Sequence, residues 1–309
     1  MIHLSQITFT LTAVLLTATF ATAQTYVNKE WVKNHGAPDT IEWSASTTDM
    51  WEQLITTGNT LVSGQYANIL VTKFDEAGNI SWQQDWNGNK GKSDYGAAVI
   101  TDNSGNICVA GASHYSNDSI FDIVLLKYDW QGNLQWAVNY DGTGGADYPV
   151  EMAKDLNGNI YITGASEGNN SDLDFITLKY DNNGNLQWAS RYDYNQNVDT
   201  AADIVTEGGG DQVTVTGGSE DTAGVWDYTT VSYDINGNQI SVDREPSDET
   251  DIKKPKDIVK DGNKNYYITG RSAVGEQSFN VNLDGLVPGI YIYRIGIGED
   301  VQHLKVIKN

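Results

Sequence analysis

Apolar and polar residues alternate in short runs along most of this chain, with turn residues between them. Over 148–192 the runs are Tyr148–Lys154, Ile160–Thr163, Asp174–Tyr180 and Leu186–Tyr192. Ile160, Tyr161 and Ile162, like Phe175, Ile176 and Thr177, are types that suit a pleated, half-buried surface, so each run predicts a strand. No segment longer than about two turns carries helical spacing. The intervening turns read Asp-x-x-Gly-Asn at Asp75 to Asn79, Asp102 to Asn106, Asp129 to Asn133, Asp155 to Asn159, Asp181 to Asn185 and Asp234 to Asn238. Glycine in that slot supplies the positive φ of a hairpin turn, and the aspartate can bond its own turn backbone.

The pattern repeats. Lys73-Phe74-Asp75, Lys127-Tyr128-Asp129, Lys179-Tyr180-Asp181 and Ser232-Tyr233-Asp234 recur at intervals of 54, 52 and 53 residues. Trp82, Trp136 and Trp188 follow the Gly-Asn turn at a fixed distance, and the fourth copy has Ser241 there. A glycine ends an apolar strand at Gly64, Gly111, Gly164, Gly217 and Gly270, and the last three intervals are all 53. Two interleaved markers with one period define a repeat protein. Four short strands in each unit of about 53 residues predict an all-β fold, a β-propeller of about five four-stranded blades.

The blades are expected at about 49–90, 94–140, 147–192, 199–244 and 253–284, within a repeat region spanning 24–276. Residues 26–36, whose Trp31 and Gly36 resemble Trp136 and Gly142, are expected to supply the outer strand of the fifth blade. Such a closure removes the open sheet edge that would otherwise pair with other chains. The rival arrangement is a piece of a larger propeller.

Residues 174–181, Gly184-Asn185-Leu186-Gln187-Trp188 and Gly158-Asn159-Ile160-Tyr161-Ile162-Thr163-Gly164 resemble the SBBP-type β-propeller repeat of bacterial exported proteins. The resemblance covers about 26–273. It implies a fold but no activity, because propellers host many unrelated functions.

The first 23 residues contain no Lys, Arg, Asp or Glu, and 7–20 is apolar or Thr. Ala21-Thr22-Ala23 follows as a small-x-small cleavage signature, so 1–23 reads as a secretory signal peptide. At the other end, 277–309 breaks the repeat. Gly289 to Ile295 alternates at period 2, and Val301 to Lys308 makes a second strand. Gly289, Tyr291 and Arg294, with Lys305 and Lys308 after them, resemble the end of the C-terminal sorting domain of the Bacteroidota type IX secretion system. That resemblance implies the secretion machinery as a partner and a secreted or outer cell-surface address. It covers only the last strands of the family's domain.

Of the 309 residues, 19 are Lys or Arg and 41 Asp or Glu, for a net charge of −22. No basic footprint exists for a nucleic acid. The single Cys excludes an internal disulfide framework, and Cys108, between Ile107 and Val109, reads as a buried small hydrophobe. After the signal, no segment reaches the length of a transmembrane helix.

Asp49, Asp94, Asp147 and Asp199 open the four blades and could form a ring of carboxylates for a hard cation. Asp is also an ordinary turn residue, and Lys253 stands in the fifth position, so turn chemistry is preferred and no metal or cofactor is expected. The Asp181 to Asn185 loop lacks the Gly and Glu places of an EF-hand. Trp82, Trp136 and Trp188 are expected to pack between sheets. The non-repeating loop aromatics Trp51, Tyr115, Tyr194 and Trp226 are the candidates for ligand contact. His3, His35, His114 and His303 share no motif with a nucleophile or a metal spacing. The reading is a non-catalytic exported scaffold presenting loops to a glycan or protein, and the alternative is a secreted polysaccharide hydrolase with a central pocket.

Overall fold

The computed structural model describes residues 40–61, 66–88, 92–114, 120–168, 172–245, 254–261, 266–271, 289–297 and 300–308. The chain divides into Met1–His35 and Gly36–Asn309. The expected signal at 1–23 and the strand at 26–36 lie outside the described residues, as do Gly64, Tyr115 and Lys253. No described helix is long and apolar enough to cross a membrane.

The first four sheets are antiparallel meanders. They comprise β1 Thr40–Thr48, β2 Leu54–Leu61, β3 Asn68–Phe74 and β4 Ile80–Trp86; then β5 Asp94–Thr101, β6 Ile107–Ser113, β7 Asp122–Tyr128 and β8 Leu134–Tyr140. The third holds β9 Asp147–Lys154, β10 Ile160–Glu167, β11 Leu173–Tyr180 and β12 Leu186–Tyr192, and the fourth β13 Asp199–Thr206, β14 Gln212–Glu220, β15 Trp226–Asp234 and β16 Gln239–Glu245. The strands β17 Lys254–Lys260 and β18 Tyr266–Arg271 pair as a two-stranded sheet. The first strands touch in succession, β1 on β5, β5 on β9, β9 on β13 and β13 on β17. Meanders packed face to face through successive first strands make an all-β, multi-blade β-propeller.

Burial follows from that stacking. In β6 and β7 every residue is buried, whereas the outer strands β4 and β8 alternate between exposed and half-buried. The reason is that a middle strand is covered on both faces by neighbouring blades. Ile107 and Val109 pack with Ile55, Ile69 and Val71 of the first blade, while Cys108 and Ala110 pack with Ile160, Ile162 and Ile176 of the third. Phe175 and Tyr161 join Val215, Val231 and Tyr233 of the fourth. The hydrophobic core is thus a series of layers between blades, each supplied by two repeats.

The first blade begins at Thr40, not near residue 49, and this shift has a local cause. Asp49 to Gln53 forms the same turn as the Asp-x-x-Gly-Asn segments: Asp49 N donates to Gln53 O, and Asp49 Oδ1 accepts from Trp51 N and Gln53 N at 2.9 Å. Here Glu52 and Gln53 stand where other copies have Gly and Asn, so the turn lacks its signature. In the same register the glycine of the second strand is Gly58, 53 residues before Gly111, and not Gly64. That glycine answers a bulge in the first strand. A Cβ on Gly164 would lie 1.9 Å from Tyr148 O, beside the register shift between β9 and β10. Gly111, Gly217 and Gly270 face the backbone of Tyr95, Thr200 and Lys254 in the same way.

The tail forms a hairpin of β19 Gly289–Ile297 and β20 Asp300–Lys308, in which Gly289 pairs with Lys308, Tyr291 with Val306, Ile292 with Lys305 and Arg294 with His303.

Candidate functional site

Each blade has a turn end, with the Asp-x-x-Gly-Asn turns, and a connection end, where blades join and the second strand passes to the third. At the turn end the chemistry is structural. Lys73 Nζ pairs with Asp49 at 2.8 Å and Lys127 Nζ with Asp102 at 2.9 Å, with Lys73, Asp49 and Lys127 buried and Asp102 at the margin of burial. Burial pushes both carboxyls up but is outweighed, for Asp49 by the Lys73 ammonium and the turn N–H groups. For Asp102 it is outweighed by the Asn106 amide, the Lys127 ammonium and the turn N–H groups, so both lie below the ordinary carboxylate range. Trp82, Trp136 and Trp188 lie over Gly132, Gly184 and Gly237, the turn glycines of the next blade, and Trp188 Nε1 donates to Ile235 O at 2.9 Å. Trp51 is half-exposed here, against Gly105 and with its ring 6.3 Å from Trp130.

The four acids of the expected ring are not equivalent. Asp49 follows its first strand, whereas Asp94, Asp147 and Asp199 open theirs at the connection end. These three are at most 1% exposed and turn into their own blades. Their Oδ2 atoms accept from Gly88 N, Gly142 N and Tyr194 N at 2.9, 2.9 and 2.6 Å. Ser113, Ser166 and Ser219 of the second strands stand opposite them in register, and Ser219 Oγ donates to Asp199 Oδ1. Burial raises all three carboxyls despite those bonds, and Asp199, with Asp174 and Asp193 nearby, reaches about 7. A carboxylate used to fasten the incoming connection is not displayed around a channel.

The third strands add Asp122, Asp174 and Asp227, each in register with the same serines. Asp174 pairs with Arg191 Nη1 at 2.8 Å and Asp227 with Arg244 Nη2 at 2.7 Å. Carboxylate oxygens of Asp174, Asp193 and Asp199 lie within 4.8 Å of one another, as do those of Asp122, Asp141 and Asp147 one blade earlier. In the later group Arg191 supplies positive charge, its Nη2 also donating to Ser166 Oγ at 2.6 Å. The corresponding residue of the earlier blade is Asn139.

Beside Arg191 opens a cavity of about 120 Å³ lined by Thr143, Asp172, Asp174, Arg191, Asp193 and Gln196, with Gly168 at its edge. Three connections build it. Thr143 Oγ1 is anchored on Glu167 O at 2.7 Å, and Gln196 N donates to Asp193 Oδ1 at 2.8 Å. Asn195 and Gln196 have φ of 57° and 61°, left-handed values that non-glycine residues seldom hold. Burial raises the Asp174 carboxyl, Arg191 opposes the rise, and the charges of Asp193 and Asp172 add to it. One guanidinium, three carboxylates, a hydroxyl and an amide can exchange hydrogen bonds with a hydroxyl-rich ligand.

Of the aromatic candidates, Tyr194 stacks under Arg244, whose guanidinium carbon is 3.3 Å from the ring centre, and Trp226 lies under Lys254 Nζ at 3.8 Å. Both rings are covered by cations of the fold, and Trp51 sits at the other end. The cavity residues went unnoticed in the sequence. The signal was present as serines and acids recurring at 113, 166, 219 and at 122, 174, 227, with Arg191 entering the frame where Asn139 stood.

No family model matches the chain, and no curated protein matches it. Among solved structures, a gluconolactonase from Xanthomonas campestris is similar at 11% identity, with 74% of this chain and 69% of that one covered and a TM-score of 0.44. A protein of unknown function from Dyadobacter fermentans is similar at 9%, covering 74% and 79% with a TM-score of 0.47. A polysaccharide lyase is similar at 11%, covering 92% and 64% with a TM-score of 0.45. The propeller architecture stands on the strand order and blade packing of this chain.

Proposed function

We propose that this chain is a non-catalytic, exported β-propeller that binds glycan through the connection end of its third blade. The carrying observation is the cavity beside Arg191, where polar side chains from three connections converge on a scaffold that otherwise repeats. Its carboxylates outnumber its one guanidinium, so the fitting ligand is a neutral or amino-bearing sugar, whose hydroxyls donate to Asp172 and Asp193 and accept from Gln196. An acidic sugar would be repelled. The SBBP-type repeat and a type IX sorting tail belong to the same reading, which places the protein outside the cell or on its surface.

A glycan array probed with residues 24–309, followed by calorimetry on the hits, tests the binding. Asp172→Asn with Gln196→Ala is expected to weaken a hit about tenfold or more, a loss of ~1.4 kcal/mol. Undiminished binding moves the site elsewhere. Deleting Gly289–Asn309 is expected to keep the protein out of the medium and off the cell surface, read by cell fractionation. Unchanged export removes the sorting role.

A hydrolase reading has one observation in its favour, the Asp199 carboxyl near neutrality beside Asp174 and Asp193. Against it, both Asp199 oxygens are occupied by Tyr194 N and Ser219 Oγ, and Asp94 and Asp147 repeat the backbone bond to Oδ2. Turnover of polysaccharide that Asp199→Asn abolishes would replace the binding reading.

A further inference from the structure

At one repeat position the first strands β9, β13 and β17 carry Glu151, Asp203 and Asp257, where β1 and β5 have Ala45 and Ala98. The position adjoins the bulge of each first strand, where the ladder is interrupted and a backbone N–H is left for another acceptor. Glu151 Oε1 accepts from Met152 N at 2.9 Å, and Asp203 Oδ1 from Ile204 N at 2.7 Å. Asp203 Oδ2 reaches further and accepts from Ile258 N of β17 at 2.7 Å, tying the fourth sheet to the β17–β18 sheet. Asp257, the residue before Ile258, is exposed, and its carboxyl lies beside that of Asp203. Adjacent carboxyls can share one proton; when both ionise they repel.

We propose that the Asp203–Asp257 pair is a proton-gated joint between the fourth sheet and β17–β18, closed by a carboxyl–carboxylate hydrogen bond and loosened when the shared proton leaves. The surrounding charges leave the pair unneutralised. From β9, Glu151 adds negative charge toward Asp257, while Lys154 bonds Thr101 O. From β10 and β11, Tyr161 bonds Asp155 and Lys179 bonds Ile235 O. On β14 the ionisable residue is Glu220, opposite Trp226 at the strand's far end, and on β15 Asp227 is held by Arg244. On β17 itself Lys254 covers Trp226, Lys260 pairs with Glu207 at 3.2 Å, and Lys256 is exposed. On β18 the Tyr266 hydroxyl donates to Glu207 Oε1 and the Tyr267 hydroxyl to Asp261 Oδ2. Among the described residues, no ion pair includes Asp203 or Asp257.

Burial, and next the Asp257 carboxyl, raise Asp203 well above the ordinary carboxylate range, against the pull of Ile258 N and Ile204 N. Burial and the Asp257 charge raise Glu151 too. A raised folded-state value means that the stabilisation is complete below the unfolded value and is lost as pH rises through the folded one. The joint is therefore tight in acid and loose in base.

Hydrogen–deuterium exchange of the whole chain at about pH 5 and about pH 8.5, corrected for intrinsic rates, brackets that window. Protection of β17–β18 is expected to fall about tenfold or more at the higher pH, the equivalent of one unit of pKa difference, while β5–β8 holds. Asp257→Asn removes one charge and keeps a donor, so β17–β18 should stay protected at both. Asp199 is unchanged in that variant, so a pH effect that persists there belongs to another group and overturns the proposal. Equal protection of the parent chain at both pH values overturns it as well. Should Asp257→Asn fail to fold, carboxyl carbon NMR of the parent chain decides: two coupled steps, the upper near neutrality, are expected, and a single step in the ordinary carboxylate range sinks the joint.

Discussion

Glu52 holds, at φ 62°, the turn position that glycine fills at φ 74–88° in the other copies, from Gly78 to Gly237. A side chain in that region crowds its own backbone, at roughly 1–2 kcal/mol, partly offset because glycine has more freedom to lose on folding. Glu52→Gly should therefore stabilise the full chain by about 0.5–1 kcal/mol, read as a higher denaturant midpoint at unchanged slope. A lower midpoint would mean that Glu52 makes contacts worth more than its strain. Gly164→Ala tests the opposite constraint. With its Cβ 1.9 Å from Tyr148 O, β9 must move, and a loss of at least ~2 kcal/mol is expected in the same measurement.

At the scale of the element, a buried lysine of the third strand holds the turn after the first strand. Lys73 and Asp49 have side chains 3% and 0% exposed, so removing one partner strands the other's charge in the blade. Lys73→Met should cost ~3–5 kcal/mol, and adding Asp49→Asn should restore much of it, because the buried charge goes too. A double variant as unstable as the single would show that Lys73 acts through packing, including its place 5.4 Å from the Trp51 ring centre. The outer strands matter less for this joint. Their half-buried tryptophans cover turn glycines of the next blade, an arrangement that couples blades more than it stabilises one.

Across the whole molecule the two ends of the blades answer pH in opposite senses. Asp49 and Asp102 are depressed, so the stability they confer is present above the unfolded carboxylate value and is lost as pH falls through the folded one. Asp94, Asp147 and Asp199 are raised, so theirs is present below the unfolded value and lost as pH rises, for Asp199 up to about 7. Thermal stability should peak in mildly acidic solution. Asp199→Asn, which can still accept from Tyr194 N and bond Ser219, should melt higher than the parent above neutrality, with the gap closing toward about pH 5. A gap that does not depend on pH would remove Asp199 from the set of titrating groups.

Fold class was legible in the chain because its determinants are local: turn glycines and aspartates at fixed offsets, β-branched runs of strand length, and one period holding both. The start of the first blade was not legible, because Glu52 and Gln53 keep the turn's hydrogen bonds without its residues. The role of Asp94, Asp147 and Asp199 was open in the chain, since an acid that starts a strand can display its charge or spend it on a connection. Tertiary structure decided this by burying all three against serines some twenty residues away. The cavity beside Arg191 and the Asp203–Asp257 joint were decided there as well. Each joins residues from separate connections or neighbouring sheets, and such proximity comes from blade stacking, which no local run of residues encodes.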